Sequence, residues 1–300
     1  MGQFKNKFIF FGAVHQDFVF QLKNDLIRFR TNPISQNQSY GGVAHNVAKI
    51  VGSYENSSFF SLQTDKETQR YLKNQNINFN PLNKKIEKRF YGIIIDKQKK
   101  LQLGIANTDA YEDLILKTIN FNFINKCIIL DLNFSRTLIN KIITKYHKNN
   151  NIVVCGTSPF KIWKIKKNLK KIDTLILNKE ELYALTDIRN IIKSIKNVRI
   201  VNPNITLIVS NAEKKTYAFS DNKLISCKPP KINVLNENGA GDVMAGIYLY
   251  FISKNKSIEK ALALAVAAGA LHAQNKKDFN FNSLKKLTNK IIQKKEKFNA

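Results

Sequence analysis

What most constrains this chain is the kind of hydrophobic run it carries. Phe8-Ile9-Phe10-Phe11, Phe59-Phe60-Ser61-Leu62, Cys127-Ile128-Ile129-Leu130, Ile152-Val153-Val154, Thr174-Leu175-Ile176-Leu177 and Thr206-Leu207-Ile208-Val209 are short, β-rich and free of apolar/polar alternation. A strand with one wet face shows that alternation, whereas a strand covered on both faces does not. Helical patterns lie between the runs, including Val43 to Val51 and the lysine-rich Leu138 to His147. Doubly covered strands alternating with crossover helices predict an α/β fold: a doubly wound, mostly parallel sheet flanked by helices. No repeat, low-complexity block or long linker divides the 300 residues, so one domain spanning 1–300 is expected.

Two segments depart from that rhythm. Arg89 to Ile95 and Leu101 to Ala106 flank the polar Asp96-Lys97-Gln98-Lys99-Lys100 and read as a hairpin outside the main sheet. Ser257, followed by Ile258, Glu259 and a run of alanine and leucine, reads as an N-capped, largely buried helix.

Lys+Arg is 49 against Asp+Glu 22, a formal charge of +27, which raises the question of a polyanionic partner. Only seven of the basic residues are arginine, the side chain that makes bidentate contacts to phosphate and guanine. The lysines are scattered along the chain and accompanied by abundant asparagine and isoleucine, the mark of a compositional bias. No nucleic-acid partner is therefore expected. The longest apolar run, Ala261 to Leu271, falls short of the ~20 residues of a membrane helix, so no membrane partner is expected either. Three widely spaced cysteines without a CxxC suit reduced thiols and a cytoplasmic location.

Two glycine-rich segments carry the chemistry. In Asn238-Gly239-Ala240-Gly241-Asp242-Val243-Met244-Ala245-Gly246, glycines precede a helical pattern, a place where backbone N–H groups and the positive helix end can hold an anion such as phosphate. An acid there would repel phosphate unless it has chemical work, and taking a proton from an attacking hydroxyl is that work. A plain glycine-rich helix start with Asp242 as a first-turn acid is the alternative. Neither GxxxxGK[ST] nor GxGxxG fits the spacing. The second segment, Gly41-Gly42-Val43-Ala44-His45-Asn46, also opens a helical pattern, and Asn46 offers both a donor and an acceptor to sugar hydroxyls.

Together, in this order and about 200 residues apart, the two segments resemble the signatures of the PfkB/ribokinase family of carbohydrate kinases, GG-x-x-x-N-x-A and GAGD. The resemblance implies a ribokinase-like fold with a small β-strand lid, its segments roughly 13–40 and 86–108. It implies ATP and Mg²⁺ as cofactors and a small nucleoside or sugar as partner substrate, with a homodimer through the lid a further implication. Residue by residue, it places Asp17, Gly41, Gly42 and Asn46 on the substrate. Asp242 becomes the base, and the backbone of Gly239, Ala240 and Gly241 the anion cradle. Asn178, Ser210 and Lys215 fall on the nucleotide side, with Glu181 of the N-x-x-E element organising the metal.

Within the family the chain is most similar to pseudouridine kinases, in Gly-Gly-Val-Ala-His-Asn, in Asn236-Glu237-Asn238 and in Asp131-Leu132-Asn133. The implied reaction is ATP-dependent phosphorylation of the 5′-hydroxyl of pseudouridine. Ribokinase or another sugar or nucleoside kinase is the alternative, and a catalytically weakened nucleoside-binding or regulatory member is a second. The departures feed that second alternative. Ser210 to Lys215 lacks the usual G-x-x-G, with Lys215 where a left-handed glycine is expected. Gln63 and His45 replace a glycine and an arginine, and Cys155-Gly156 stands where Asp-Pro is usual.

Overall fold

The computed structural model describes residues 6–235, 237–276, 279, 281–289 and 291–297. The strands are β1 (Phe8–Phe11), β2 (His15–Leu22), β3 (Ile34–Gly41), β4 (Ser57–Ser61), β5 (Ile77–Pro81), β6 (Phe90–Ile95), β7 (Leu101–Asn107), β8 (Cys127–Leu130), β9 (Asn151–Cys155), β10 (Thr174–Asn178), β11 (Thr206–Ser210), β12 (Thr216–Ser220), β13 (Lys223–Lys228) and β14 (Ile292–Lys297). The helices are α1 (Val43–Gly52), α2 (Lys66–Asn74), α3 (Ala110–Asp113), α4 (Arg136–Tyr146), α5 (Lys179–Thr186), α6 (Ile191–Val201), α7 (Ala240–Ser253), α8 (Ile258–Ala273) and α9 (Phe281–Thr288), with a 3₁₀ helix at Ile162–Lys171.

Ten strands form one sheet in the order β14-β13-β12-β11-β10-β9-β8-β1-β4-β5. From β11 to β5 every pairing is parallel, and β12, β13 and β14 add an antiparallel flank. Side chains alternate across each strand, so β1 sends Ile9 and Phe11 into one buried cluster and Phe8 and Phe10 into another on the opposite face. One cluster takes in α4 and α6, the other α1, α7 and α8. Each central strand is thus covered twice, which is why its sequence shows no alternation. The free cysteines sit in strands of this sheet, Cys155 and Cys227 fully buried.

The second sheet has four strands in the order β3-β2-β6-β7. The predicted hairpin is β6–β7, and β2 pairs with it in parallel from Gln16↔Phe90 onward. At its root the buried Tyr111 hydroxyl donates to the Val14 carbonyl at 2.6 Å and accepts from Val14 N–H and from Arg89 Nε. Arg89 Nη2 donates to the Gln63 carbonyl at 3.1 Å, so one phenol and one guanidinium tie two of the chain crossings, those entering β2 and β6, to the main body.

Ser257 caps α8 through the Lys260 amide, as its sequence predicts, and α8 is buried along most of its length. No helix among the described residues is long and apolar enough to cross a membrane.

Candidate active site

The two glycine segments meet at the C-terminal ends of the central strands. Asn46, one turn into α1, donates from Nδ2 to Asp242 Oδ2 at 2.8 Å. Residues 196 positions apart are thereby joined by a direct hydrogen bond.

On the α1 side, Gly42 has φ +106, and a Cβ there would stand 2.1 Å from the Ala13 carbonyl oxygen. Only glycine allows β3 to turn into α1 this close to the end of β1. Gly41 presses against Asp17: a Cβ at 41 would lie 2.2 Å from Asp17 Oδ2. Asp17 and Gly41 thus share one corner, with Asn46 and Asp242 joined at the other end of the turn. Asp131 ties this half together. Its fully buried carboxylate accepts from Ala13 N–H at 2.9 Å and Ala44 N–H at 3.2 Å through Oδ2, and from Asn133 N–H at 3.0 Å through Oδ1. Lysines hold its loop from below: Lys161 Nζ donates to Asn133 Oδ1, and the buried Lys164 Nζ to the carbonyls of Leu132 and Phe134.

On the α7 side, Gly239 is the N-cap in the left-handed region at φ +80. Gly241 opens onto empty space, with nothing within 4 Å of where a Cβ would be. A helix start with an unfilled side is a fit cradle for phosphate. The three-amide cradle is only partly free here, because Ala240 N–H donates to the Glu237 carbonyl at 3.2 Å. Asn236 lies outside the described residues. Burial pushes the Asp242 carboxyl up to about 7; the Asn46 hydrogen bond opposes that shift, while the negative charges of Asp131 and Glu181 add to it. An acid poised near neutrality suits proton transfer at physiological pH.

Asn178 and Ser210 pair across the ends of β10 and β11. Asn178 caps α5 in a reciprocal box: its Oδ1 accepts from Glu181 N–H and Glu181 Oε2 accepts from Asn178 N–H, both at 2.9 Å. The N-x-x-E spacing therefore has a structural use of its own. It also fixes Glu181 with Oε1 unused by any hydrogen bond among the described residues. Burial pushes the Glu181 carboxyl up to about 7, with the Asn178 N–H pulling against that shift. Gly156 explains itself here, since a Cβ would stand 2.1 Å from Glu181 Oε2. A carboxylate held in place through Oε2, with Oε1 to spare, fits an ion such as Mg²⁺ that keeps several waters and is held chiefly by phosphate.

The left-handed residue of the β11–β12 turn is Ala212, at φ 45, not Lys215. Lys215 stands exposed at that hairpin, with no ion pair to Asp242 or Glu181 among the described residues. His45, where the resemblance expects an arginine, is fully buried with its ring against Tyr71. Burial, with the nearby charges of Lys49 and His15, drives its imidazole down to about 3. His272 has a place that its isolation in sequence hid: its Nε2 lies 2.8 Å from the Asn238 carbonyl, beside Gly239. Asp131 was legible as a motif, but its three amide partners come from separate segments.

The sequence profile described as pfkB family carbohydrate kinase matches residues 16–283. No curated protein matches the chain by sequence. Among solved structures, a carbohydrate kinase from Agrobacterium tumefaciens superposes with a TM-score of 0.81 at 20% identity, covering 96% of this chain and 99% of that one. Arabidopsis thaliana ribokinase complexed with ribose and ATP gives a TM-score of 0.75 at 16% identity, over 94% of this chain and 98% of the other. A Methanocaldococcus jannaschii nucleoside kinase, an archaeal member of the ribokinase family, gives 0.71 at 18% identity, over 96% and 100%. At these identities the likeness is one of fold.

Proposed function

Because the chain belongs to the pfkB family of carbohydrate kinases, we propose that it transfers the γ-phosphoryl group of ATP to the 5′-hydroxyl of a nucleoside, with pseudouridine the first acceptor to test. The observation that carries this reading is the Asn46–Asp242 hydrogen bond, because it joins the amide proposed to face the sugar to a carboxyl poised near neutrality.

Asp17 and Asn46 hold the sugar. Asp242 receives the proton of the 5′-hydroxyl as its oxygen bonds to the γ-phosphorus and the bond to the β,γ-bridging oxygen breaks, releasing ADP. The amides of Gly239 and Gly241 at the start of α7, without a backbone partner among the described residues, receive charge on the transferred group, and removing such a donor typically costs ~10²–10³ in rate. Glu181 and Asn178 would hold Mg²⁺ through its waters; when bound, the ion neutralises charge on the phosphates. The solved ribokinase with ribose and ATP supports the nucleotide and sugar classes, and the archaeal nucleoside kinase supports a nucleoside acceptor. Pseudouridine in particular rests on the Gly-Gly-Val-Ala-His-Asn and Asp-Leu-Asn likeness.

A weakened family member is the second reading, favoured by the glycine-free turn at Ser210 to Lys215 and by the occupied Ala240 amide. One assay separates them: transfer from ATP with Mg²⁺ to pseudouridine, uridine, adenosine, ribose and fructose. Turnover of pseudouridine above the others supports the first reading. Turnover of ribose or fructose alone moves the acceptor to a free sugar, and turnover of none leaves the weakened member.

A further inference from the structure

Asp17 is held from two sides. Residues 15 and 17 of β2 share one face of the strand, because side chains alternate. His15 Nδ1 lies 2.7 Å from Asp17 Oδ1, with the two side chains 14% and 31% exposed. On the other flank stands Gly41, paired with His15 across β2 and β3, with no room for a Cβ against the carboxylate. Neither His15 Nδ1 nor Asp17 Oδ1 has a well-aligned hydrogen-bond partner among the described residues. The approach is thus a close contact, attractive when Nδ1 carries its proton toward the carboxylate, and no other donor among the described residues reaches Asp17 Oδ1. The second imidazole nearby does not disturb it, since the buried His45 remains neutral.

We propose that His15 is a positioning residue for acceptor recognition: it fixes Asp17 in the rotamer in which the carboxylate accepts from two neighbouring hydroxyls of the acceptor. This deepens, and rests on, the reading of Asp17 as the sugar-binding acid. Acceptor affinity should depend on His15, while the transfer step at Asp242 should not. The donor is what matters, so asparagine, whose Nδ2 can occupy the region of Nδ1, should substitute where alanine cannot.

The test is a double-mutant cycle with His15→Ala, His15→Asn, Asp17→Asn and His15→Ala/Asp17→Asn, read with pseudouridine and with ribose at saturating MgATP. His15→Ala is expected to raise the acceptor KM about tenfold or more, the effect of one lost charge-assisted contact, with kcat and the ATP KM nearly unchanged. His15→Asn should recover most of that loss, and in the Asp17→Asn background His15→Ala should change acceptor KM by less than about twofold, as coupled residues require. An unchanged acceptor KM in His15→Ala overturns the proposal. So does an effect that persists without Asp17, or one that asparagine and alanine share equally. If the wild type transfers no phosphoryl group, the kinase reading fails separately. The same cycle is then read by calorimetric binding of pseudouridine and ribose, and absence of binding by the wild type also overturns the role of His15.

Discussion

Asn46 donates to Asp242 across 2.8 Å, and that contact works against the burial that raises the Asp242 carboxyl to about 7. In the proposed base role Asp242 must be ionised to accept a proton, so kcat/KM should climb as pH rises through about 7 and level off above it. Asn46→Ala removes a donor to the charged form, and the acidic limb of the profile should move to higher pH. Asp242→Asn should keep its fold by circular dichroism and lose about 10²–10⁴ in kcat. Activity within a few-fold of wild type would remove Asp242 from the base role.

Gly42 at φ +106 faces the Ala13 carbonyl with no space for a methyl group. Gly42→Ala should therefore cost at least about 2 kcal/mol in urea unfolding, from backbone strain and collision together. Gly241→Ala, with open space around it, should leave stability nearly unchanged and raise the KM for ATP.

Glu181 carries its proton more tightly in the folded protein, near 7, than at its ordinary 4.5. Its contribution to stability is full below about pH 4.5 and disappears as pH rises through about 7. Glu181→Gln cannot ionise and retains an oxygen for the Asn178 amide. Its melting temperature should exceed that of wild type at pH 8 and approach it at pH 4.5. An equal difference at both pH values would mean that burial of the charge is not the cause.

Asp131→Ala would leave the amides of Ala13, Ala44 and Asn133 unpaired in the interior. At about 1–3 kcal/mol for each unsatisfied group, the loss should exceed about 3 kcal/mol. Asp131→Asn, which keeps an acceptor but loses the charge, should fall between it and wild type in the same urea titration.

The parallel core was legible in the sequence because double coverage abolishes alternation, as in β1, β8 and β10. Other elements carry no such signal. β5, Ile-Asn-Phe-Asn-Pro, is an edge strand, half polar and ending on proline. β3 runs through Ser35-Gln36-Asn37-Gln38-Ser39, with both faces largely exposed and nothing apolar to read. In the site, the glycines declared themselves, since backbone needs at Gly42 and Gly239 leave no substitute. The burial of His45 did not, because Tyr71 reaches it from α2, a helix whose register against α1 no local pattern encodes. Nor did the left-handed Ala212, since alanine gives no hint of φ 45.

The phenol of Tyr111 has a mechanical consequence. It engages Val14 on the way into β2 and Arg89 on the way into β6, so the four-stranded sheet is pinned at one pivot on two of its connections. A swing at those roots would break buried hydrogen bonds, whereas bending along β2 and β6 beyond residue 16 breaks none of them. The small sheet is thus clamped at its base, so any bending falls on the strand ends farthest from Val14 and Arg89.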